Sequence, residues 1–402
     1  MRILIATAGS RGDVAPYTGL GAELVRAGHE VTLAATEGFA SLAHEAGLGF
    51  RRLPADPRAR GGTGGRRELM RTAAAFVTEL GRGFADAVDD GTDLLLLSAT
   101  TAPLGWQLTE ATGVPGIGVY LQPTAPTGDF PPVVMGTRSL GRAGNRAAGR
   151  FALRMADRVY APAVAELRRR LGLPPLSAAA MRRRREREDW PVLHGFSTAL
   201  VPRPADWRPG LDVVGTLWPH VDPGARLPAA LEDFLGAGPR PVLVGFGSMA
   251  SGEGERLSEI AVQALRRAGL RGILQSGAAG LAAAGDDVFT VGEVPHALLF
   301  PRLAAVVHHA GAGTTAAALR AGVPAVAVPV TADQPFWAAR LASLGAAPDP
   351  LPLPDLTAER LAAALGLVTG RQTYTAAAAR VARHMDGEDG AGLAVKTIER
   401  LA

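Results

Sequence analysis

The chain has 402 residues, 47% hydrophobic and 20% charged, a length and balance expected of a soluble enzyme of two or three domains. Cysteine is absent, which excludes disulfides, thiolate nucleophiles and sulfur-held zinc. Lys and Arg number 42 against 38 acidic residues, and Lys396 is the only lysine, so arginine's permanent charge explains a pI near 10.0 without asking for nucleic acid.

In chain order, "RILIATA" (Arg2 to Ala8) is a continuous apolar run closed by Gly9, the pattern of a parallel strand buried on both faces. "GSRGDVAPYTGLGAELVRAGHEV" predicts a helix with Pro16 in its first turn and Gly28 at its end, followed by strand "EVTLAA". "DLLLLSA" and "PGIGVYLQ" extend an open α/β sheet to about residue 215. The basic run Met181 to Glu188 raises contact with an acidic lipid surface, but Glu186 and Glu188 have the spacing of i,i+4 pairs on a solvated helix, which is the expectation here. Residues 218–228, rich in Pro and Gly, predict a linker.

After the linker the pattern restarts. "PRPVLVGFGS" reads as a first strand, then helix "ERLSEIAVQALRRAG", strands "RGILQSG", "DVFTVG" and "AAVVHH", a helix, and strand "PAVAVP". The expected fold is α/β, with two doubly wound Rossmann-like domains, 1–217 and 229–385, facing across a cleft, and a last segment, about 386–402, packed back on the first. Ligands bind such sheets at the carboxyl ends of the strands. No apolar run reaches the roughly eighteen residues of a membrane span, and the N-terminal run is too short for a signal peptide, so a cytoplasmic location is expected.

The stretch "HHAGAGTT" (His308 to Thr315) sits where the strand "AAVV" hands over to a helix. Gly311 and Gly313 permit close approach of backbone to a ligand, and the unpaired N–H groups of a helix N-terminus favour an anion such as a diphosphate. A tight turn around a core histidine accounts equally well for these eight residues. The spacing matches neither a P-loop nor G-x-G-x-x-G, which removes the support for ATP hydrolysis and dinucleotide binding. Downstream, Asp333 and Gln334 again fall at a strand end, where they can bond neighbouring hydroxyls of a sugar, or Asp333 can cap the helix that follows.

"FPRLAAVVHHAGAGTTAAALRAGVPAVAVPVTADQPFWAARLASLGAA" (Phe300 to Ala347) resembles the donor-binding signature of the family 1 nucleotide-sugar glycosyltransferases, in particular bacterial natural-product and sterol-type members. "GSRGDVAPYTGLGAELVRAGHEV" and "LVPRPADWRPGLDVVGTLW" are similar to the same family, and the likeness is weakest at about 55–90 and 125–195. The resemblance implies a GT-B fold, an acceptor on the first domain, a nucleotide sugar on the second, and inverting transfer without a metal or other cofactor. It implies that His309 bonds the donor diphosphate, that Gly311, Gly313 and Thr315 form the loop around it, and that Ser248 faces it from the domain's first loop. Asp333 and Gln334 match the pair that holds sugar hydroxyls. Where plant relatives carry a tryptophan this chain has Glu293, so contacts to the nucleobase are expected from backbone near Val294. His308 is expected to pack or to support its neighbour.

Transfer needs a group that takes the acceptor's proton. Many members carry a histidine where this chain has Arg11, followed by Gly12; the R-G-D form instead makes Asp13 the candidate base, unless it serves only to cap the helix starting near Val14. Asp129, in the Pro-rich loop "QPTAPTGDFPP", is a reserve candidate. Trp106, Tyr120 and Phe130 are candidates for an aromatic acceptor pocket, or for core. The expected reaction moves a sugar from a dTDP- or UDP-sugar to a small natural-product acceptor, whether polyketide, macrolide, aromatic or sterol-like. A nucleotide-sugar 2-epimerase and a catalytically silent donor-binding partner are the alternatives. Nucleic acid is not an expected partner, and monomer and homodimer both stay open.

Overall fold

The computed structural model describes residues 1–54, 66–88, 91–247, 252–277, 279–283 and 285–402. Ser248 lies outside the described residues. The first sheet contains β1 (Arg2–Ala6), β2 (Glu30–Ala35), β3 (Gly49–Arg52), β4 (Leu94–Leu97), β5 (Gly116–Tyr120), β6 (Val192–His194) and β7 (Leu211–Val213). The second contains β8 (Val242–Gly245), β9 (Gly272–Gln275), β10 (Val288–Val291), β11 (Ala305–His308) and β12 (Ala325–Ala327). The strand orders are β3-β2-β1-β4-β5-β6-β7 and β10-β9-β8-β11-β12, with every neighbouring pair parallel. Parallel strands covered by helices on both faces must be apolar throughout, and Leu94, Leu95, Leu96 and Leu97 are all fully buried. The fold is the two-domain α/β architecture expected.

With the first sheet go α1 (Arg11–Arg26), α2 (Ala40–Glu45), α3 (Arg66–Phe84), α4 (Ala102–Thr112), α5 (Gly141–Arg170) and α6 (Ala178–Arg187). With the second go α7 (Ala229–Gly236), α8 (Gly254–Arg267), α9 (His296–Leu299), α10 (Ala312–Arg320), α11 (Gln334–Ser343), α12 (Ala358–Gly370) and α13 (Gln372–Met385), and the chain ends in α14 (Gly390–Leu401). In each sheet the chain winds one way and then reverses, between β1 and β4 and between β8 and β11. Each reversal opens a crevice at the strands' carboxyl ends.

Several local details decide how the halves meet. α1 begins at Arg11, three residues earlier than the sequence reading placed it, because Ser10 is its N-cap and Asp13 bonds back to Ser10 as in a capping box. Pro16 therefore lies inside the helix, not in its first turn. Gly19 lets the 218–228 segment lie against α1: a Cβ there would stand 1.9 Å from the Trp218 carbonyl oxygen, and His220 N donates to Thr18 Oγ1 at 2.9 Å. α14 returns to the first domain, placing Ala394, Val395 and Ile398 in the core with Val14, Leu20 and Leu24 of α1. α13 stays with the second domain, against α10. One continuous apolar cluster runs from Leu95 and Leu97 through Phe196 and Trp207 to Phe336 and Trp337, so the domains share packing beside the cleft.

Candidate active site

At the second reversal, His308 ends β11 and His309 follows it, and the two histidines do different work. His308 is buried; its Nδ1 accepts from Ala310 N at 3.0 Å, and burial lowers its pKa to about 3, so it is a neutral core group. His309 turns into the crevice, half-buried, its pKa also lowered by burial to about 4. At neutral pH its imidazole is uncharged and presents one N–H donor. The ring is wedged between two glycines. A Cβ on Gly247, at φ +62°, would approach its Cε1 to 2.7 Å, and one on Gly311 would approach its Nε2 to 2.6 Å.

These glycines thus make room for the imidazole as much as for any ligand, whereas Gly313 has open space around its Cβ position. Ala310 occupies the left-handed region at φ +61°, a strained conformation for alanine that turns the chain from β11 into α10. Gly311 is the N-cap of α10, so that helix presents its positive end to the same crevice. His309 Nδ1 and Thr315 Oγ1 are buried without a hydrogen-bond partner among the described residues. Buried polar atoms without partners are rare in a finished interior.

The turn after β12 uses the same device: Ala332, at φ +57°, precedes Asp333 at the N-cap of α11. The Asp333 side chain does not cap the helix. Its Oδ2 accepts from Trp337 Nε1 at 2.7 Å and from Gln122 Nε2 of the first domain at 2.8 Å. Burial raises its pKa, the Trp337 bond opposes that, and the charge of Asp13 adds to the rise. Gln334 is buried, and its Oε1 already accepts from Val330 N at 2.8 Å and Thr331 N at 3.2 Å. Gln334 therefore shapes the loop with its carbonyl and keeps only its amide NH₂ for a ligand.

Across the cleft, Asp13 Oδ2 accepts from Ser10 N and Ser10 Oγ, both at 2.8 Å, and Oδ1 has no hydrogen bond among the described residues. Burial raises its pKa, with the Ser10 bonds partly offsetting the rise. Gly9 has no room for a side chain, since a Cβ would stand 2.4 Å from Asp13 Oδ2. Arg11 spans the cleft to Glu293 at 2.8 Å, and Gly12 is exposed. Val294 is half-buried beside α9.

A cavity of about 170 Å³ opens between the loop after β5 and α5, lined by Gln122, Pro126, Phe130, Val133, Leu153 and Ala156 among others. Phe130 closes on Phe336 of the second domain at 5.4 Å between ring centroids. Tyr120 does not line the cavity; it is half-buried and edge-on to His194. Two more expected site residues are placed elsewhere. Trp106 is buried in the core, edge-on to Trp190 at 5.6 Å, because α4 turns that face toward α6. Asp129 does not line the cavity and is tied instead to Arg142 of α5 at 2.5 Å. Among the described residues no group of three or more His, Cys, Asp or Glu is arranged to hold a metal ion.

Residues 3–87 match the glycosyltransferase family 28 N-terminal domain, and residues 273–400 the erythromycin biosynthesis protein CIII-like C-terminal domain. O-mycaminosyltylonolide 6-deoxyallosyltransferase of Streptomyces fradiae is 38% identical, over 100% of this chain and 98% of that one. This chain is a family 1 nucleotide-sugar glycosyltransferase. A sterol 3-beta-glucosyltransferase of Arabidopsis thaliana is 31% identical over 98% of the glycosyltransferase, which spans 65% of that longer relative. The fold is shared with the Streptomyces sp. SF2575 glycosyltransferase SsfS6, solved with thymidine diphosphate, at TM-score 0.64 and 23% identity over 100% and 99% of the two chains.

Sequence reading missed Gln122, Trp337 and Asp206 of the glycosyltransferase. Asp206 accepts from Thr127 Oγ1, Gly128 N and Arg146 Nε, at 2.6, 2.8 and 2.7 Å, and so pins the cavity's loop to α5. A polar residue directly after an apolar strand was the available signal for Gln122; Asp206 gave none. Among the described residues no helix is long and apolar enough to cross a membrane.

Proposed function

We propose that the enzyme transfers a sugar from dTDP- or UDP-sugar to a hydroxyl of an apolar natural-product acceptor, with inversion and without a metal ion. The observation that carries this reading is His309, a neutral imidazole held by two glycines beside the N-terminus of α10, with unpartnered polar atoms around it. Such a pocket suits a diphosphate. As the bond between the anomeric carbon and the phosphate oxygen breaks, its electron pair leaves with the nucleoside diphosphate. The helix end and the imidazole N–H stabilise that charge, the task a metal performs elsewhere.

The acceptor hydroxyl attacks from the opposite face as its proton passes to Asp13 Oδ1. One displacement inverts the anomeric centre. A carboxylate with a pKa raised by burial is a stronger base than one in water. The apolar cavity beside Phe130 supports an acceptor-using enzyme over a nucleotide-sugar 2-epimerase or a silent donor-binding protein, neither of which needs such a cavity. Nucleobase contacts fall to the backbone near Val294, and the sugar to Asp333 and the Gln334 amide.

Calorimetric titration of dTDP and UDP into wild type and His309→Ala, in EDTA, tests the reading. One nucleotide should bind, and the variant should bind it more weakly by about 1–3 kcal/mol, the effect of losing a charge-assisted hydrogen bond. Absence of binding by either nucleotide in the wild type sinks the proposal.

A further inference from the structure

Gln122 is the first domain's only hydrogen bond to the Asp333 carboxylate among the described residues. It lies two residues past the end of β5, lines the apolar cavity, and donates across the cleft to the same oxygen, Oδ2, that Trp337 Nε1 holds from within α11. A carboxylate turns freely about its last bond until two donors fix it. Trp337, one turn along the same helix, moves with Asp333 and reports nothing about the opposite domain; Gln122 does. Gln334 makes no hydrogen bond to Asp333 among the described residues; its carbonyl accepts from Val330 and Thr331.

We propose that Gln122 is a positioning residue for the donor sugar: reaching from the acceptor side, it fixes Asp333 so that Oδ1 faces a sugar hydroxyl, and it does so only when the cleft is closed. The inference rests on the assignment of Asp333 to the sugar made above. Its physical content is a coupling between the two subsites. Hydrogen bonds weaken steeply beyond about 3.5 Å, so widening of the cleft by about an ångström at Gln122 releases Asp333 into a setting that already contains the charge of Asp13. Nucleotide binding at the His309 turn does not involve this bond. Sugar recognition does.

The test uses dTDP and UDP and their glucose conjugates, with the full-length protein. For the nucleotide that binds, the ratio of its Kd to that of its conjugate measures what the sugar adds. Gln122→Leu should lower this ratio roughly tenfold, the scale of a hydrogen bond to a charged group, while the Kd of the free nucleotide stays at the wild-type value. The near-isosteric Gln122→Glu places a second carboxylate against Asp333 and should remove the sugar's contribution at neutral pH, with partial recovery on acidification. In Gln122→Leu the acid limb of the ratio's pH dependence should move to higher pH, because Asp333 has lost a donor that favours its ionised form. A Gln122→Leu, Asp333→Asn double variant should be no worse than Asp333→Asn alone, as expected when one residue acts through the other.

A wild-type ratio near one, an unaltered ratio in both Gln122 variants, or equal weakening of nucleotide and conjugate would each overturn the inference. If neither nucleotide binds wild type, the failure lies in the proposed function instead.

Discussion

The His309 turn and the loop that carries Gln122 and Phe130 face each other across one cleft and are built by opposite means. The first is made of backbone. Glycines at 247 and 311, a left-handed alanine at 310 and the end of α10 set its shape, and the histidine ring fills the space they leave. The second is made of side chains. Asp206 gathers Thr127, Gly128 and Arg146, Asp129 pairs with Arg142, and Asn145 donates to the Gly128 carbonyl at 3.1 Å. A backbone site tolerates little substitution and presents the same fixed dipoles to every ligand. A loop stapled by side chains can change its lining while keeping its staples, which is what varied acceptors demand of a shared donor chemistry.

That contrast is broken most sharply at Asp13, which belongs to the first domain yet is held by a short local turn. Asp13→Asn should lower kcat by about 10²- to 10⁴-fold, the usual scale for a general base, with nucleotide affinity unchanged. The substitution keeps an oxygen to accept from Ser10 N, so the capping box survives in part. The folded-state pKa of Asp13 is raised, so its ionised form opposes folding at neutral pH and its protonated form does not. The variant, which mimics the protonated form, should therefore melt no lower than wild type at pH 7. Turnover should fall in wild type as pH drops through this raised pKa. A melting point held while turnover is lost separates a base from a cap; full turnover in Asp13→Asn removes Asp13 from the chemistry.

A smaller effect is expected at Asp206. Burial alone would raise its pKa, but bonds from Thr127, Gly128 and Arg146 hold it down to about 2. A depressed pKa contributes stability that is present above the unfolded value, near 3.9, and lost as pH falls toward about 2. Asp206→Asn should destabilise the fold by about 1.5–3 kcal/mol, the range for hydrogen bonds to a charged group, and speed amide exchange over residues 121–140 at neutral pH. The dTDP or UDP affinity of the His309 turn should not move. Equal loosening of both regions would show that side-chain staples and backbone turn are one unit.

The same division explains what the sequence revealed. Every strand of the second sheet was legible, because parallel buried strands are contiguous apolar runs, and so was the His309 turn, because a backbone-built site needs its glycines adjacent in the chain. Asp13 was legible as a candidate through a local turn, although the true start of α1 at Arg11 was not, since "SRGD" disguised Ser10 as loop. Gln122 acts on a residue 211 positions away, and Asp206 on residues 60 to 79 positions away; no periodicity encodes such pairs. Trp106 stayed open between pocket and core because a tryptophan in an apolar helix reads alike whether it faces a cavity or the core. The 30-residue α5 was not anticipated as a unit: its small residues and many arginines blur the apolar stripe that marks a helix.

The smallest effect is expected on α6, where the basic run raised the question of a lipid surface. Arg182 bonds Asp157 and Glu186, Arg184 bonds Glu188, and Arg185 reaches Thr109 Oγ1 and the Trp106 carbonyl, so most of its charge is spent inside the first domain. The Arg184–Glu188 pair at 2.9 Å has ordinary i,i+4 spacing on an exposed face. Arg184→Ala should therefore lower stability by only about 0.2–0.5 kcal/mol, an effect that shrinks further in high salt, and leave nucleotide affinity unchanged. If α6 instead serves to hold an anionic surface, wild type should pellet with vesicles of acidic phospholipid at low salt and the variant measurably less. No pelleting by wild type, together with the small salt-sensitive loss, would place these arginines with Arg142 and Arg146 as staples of the first domain and not as a separate binding face.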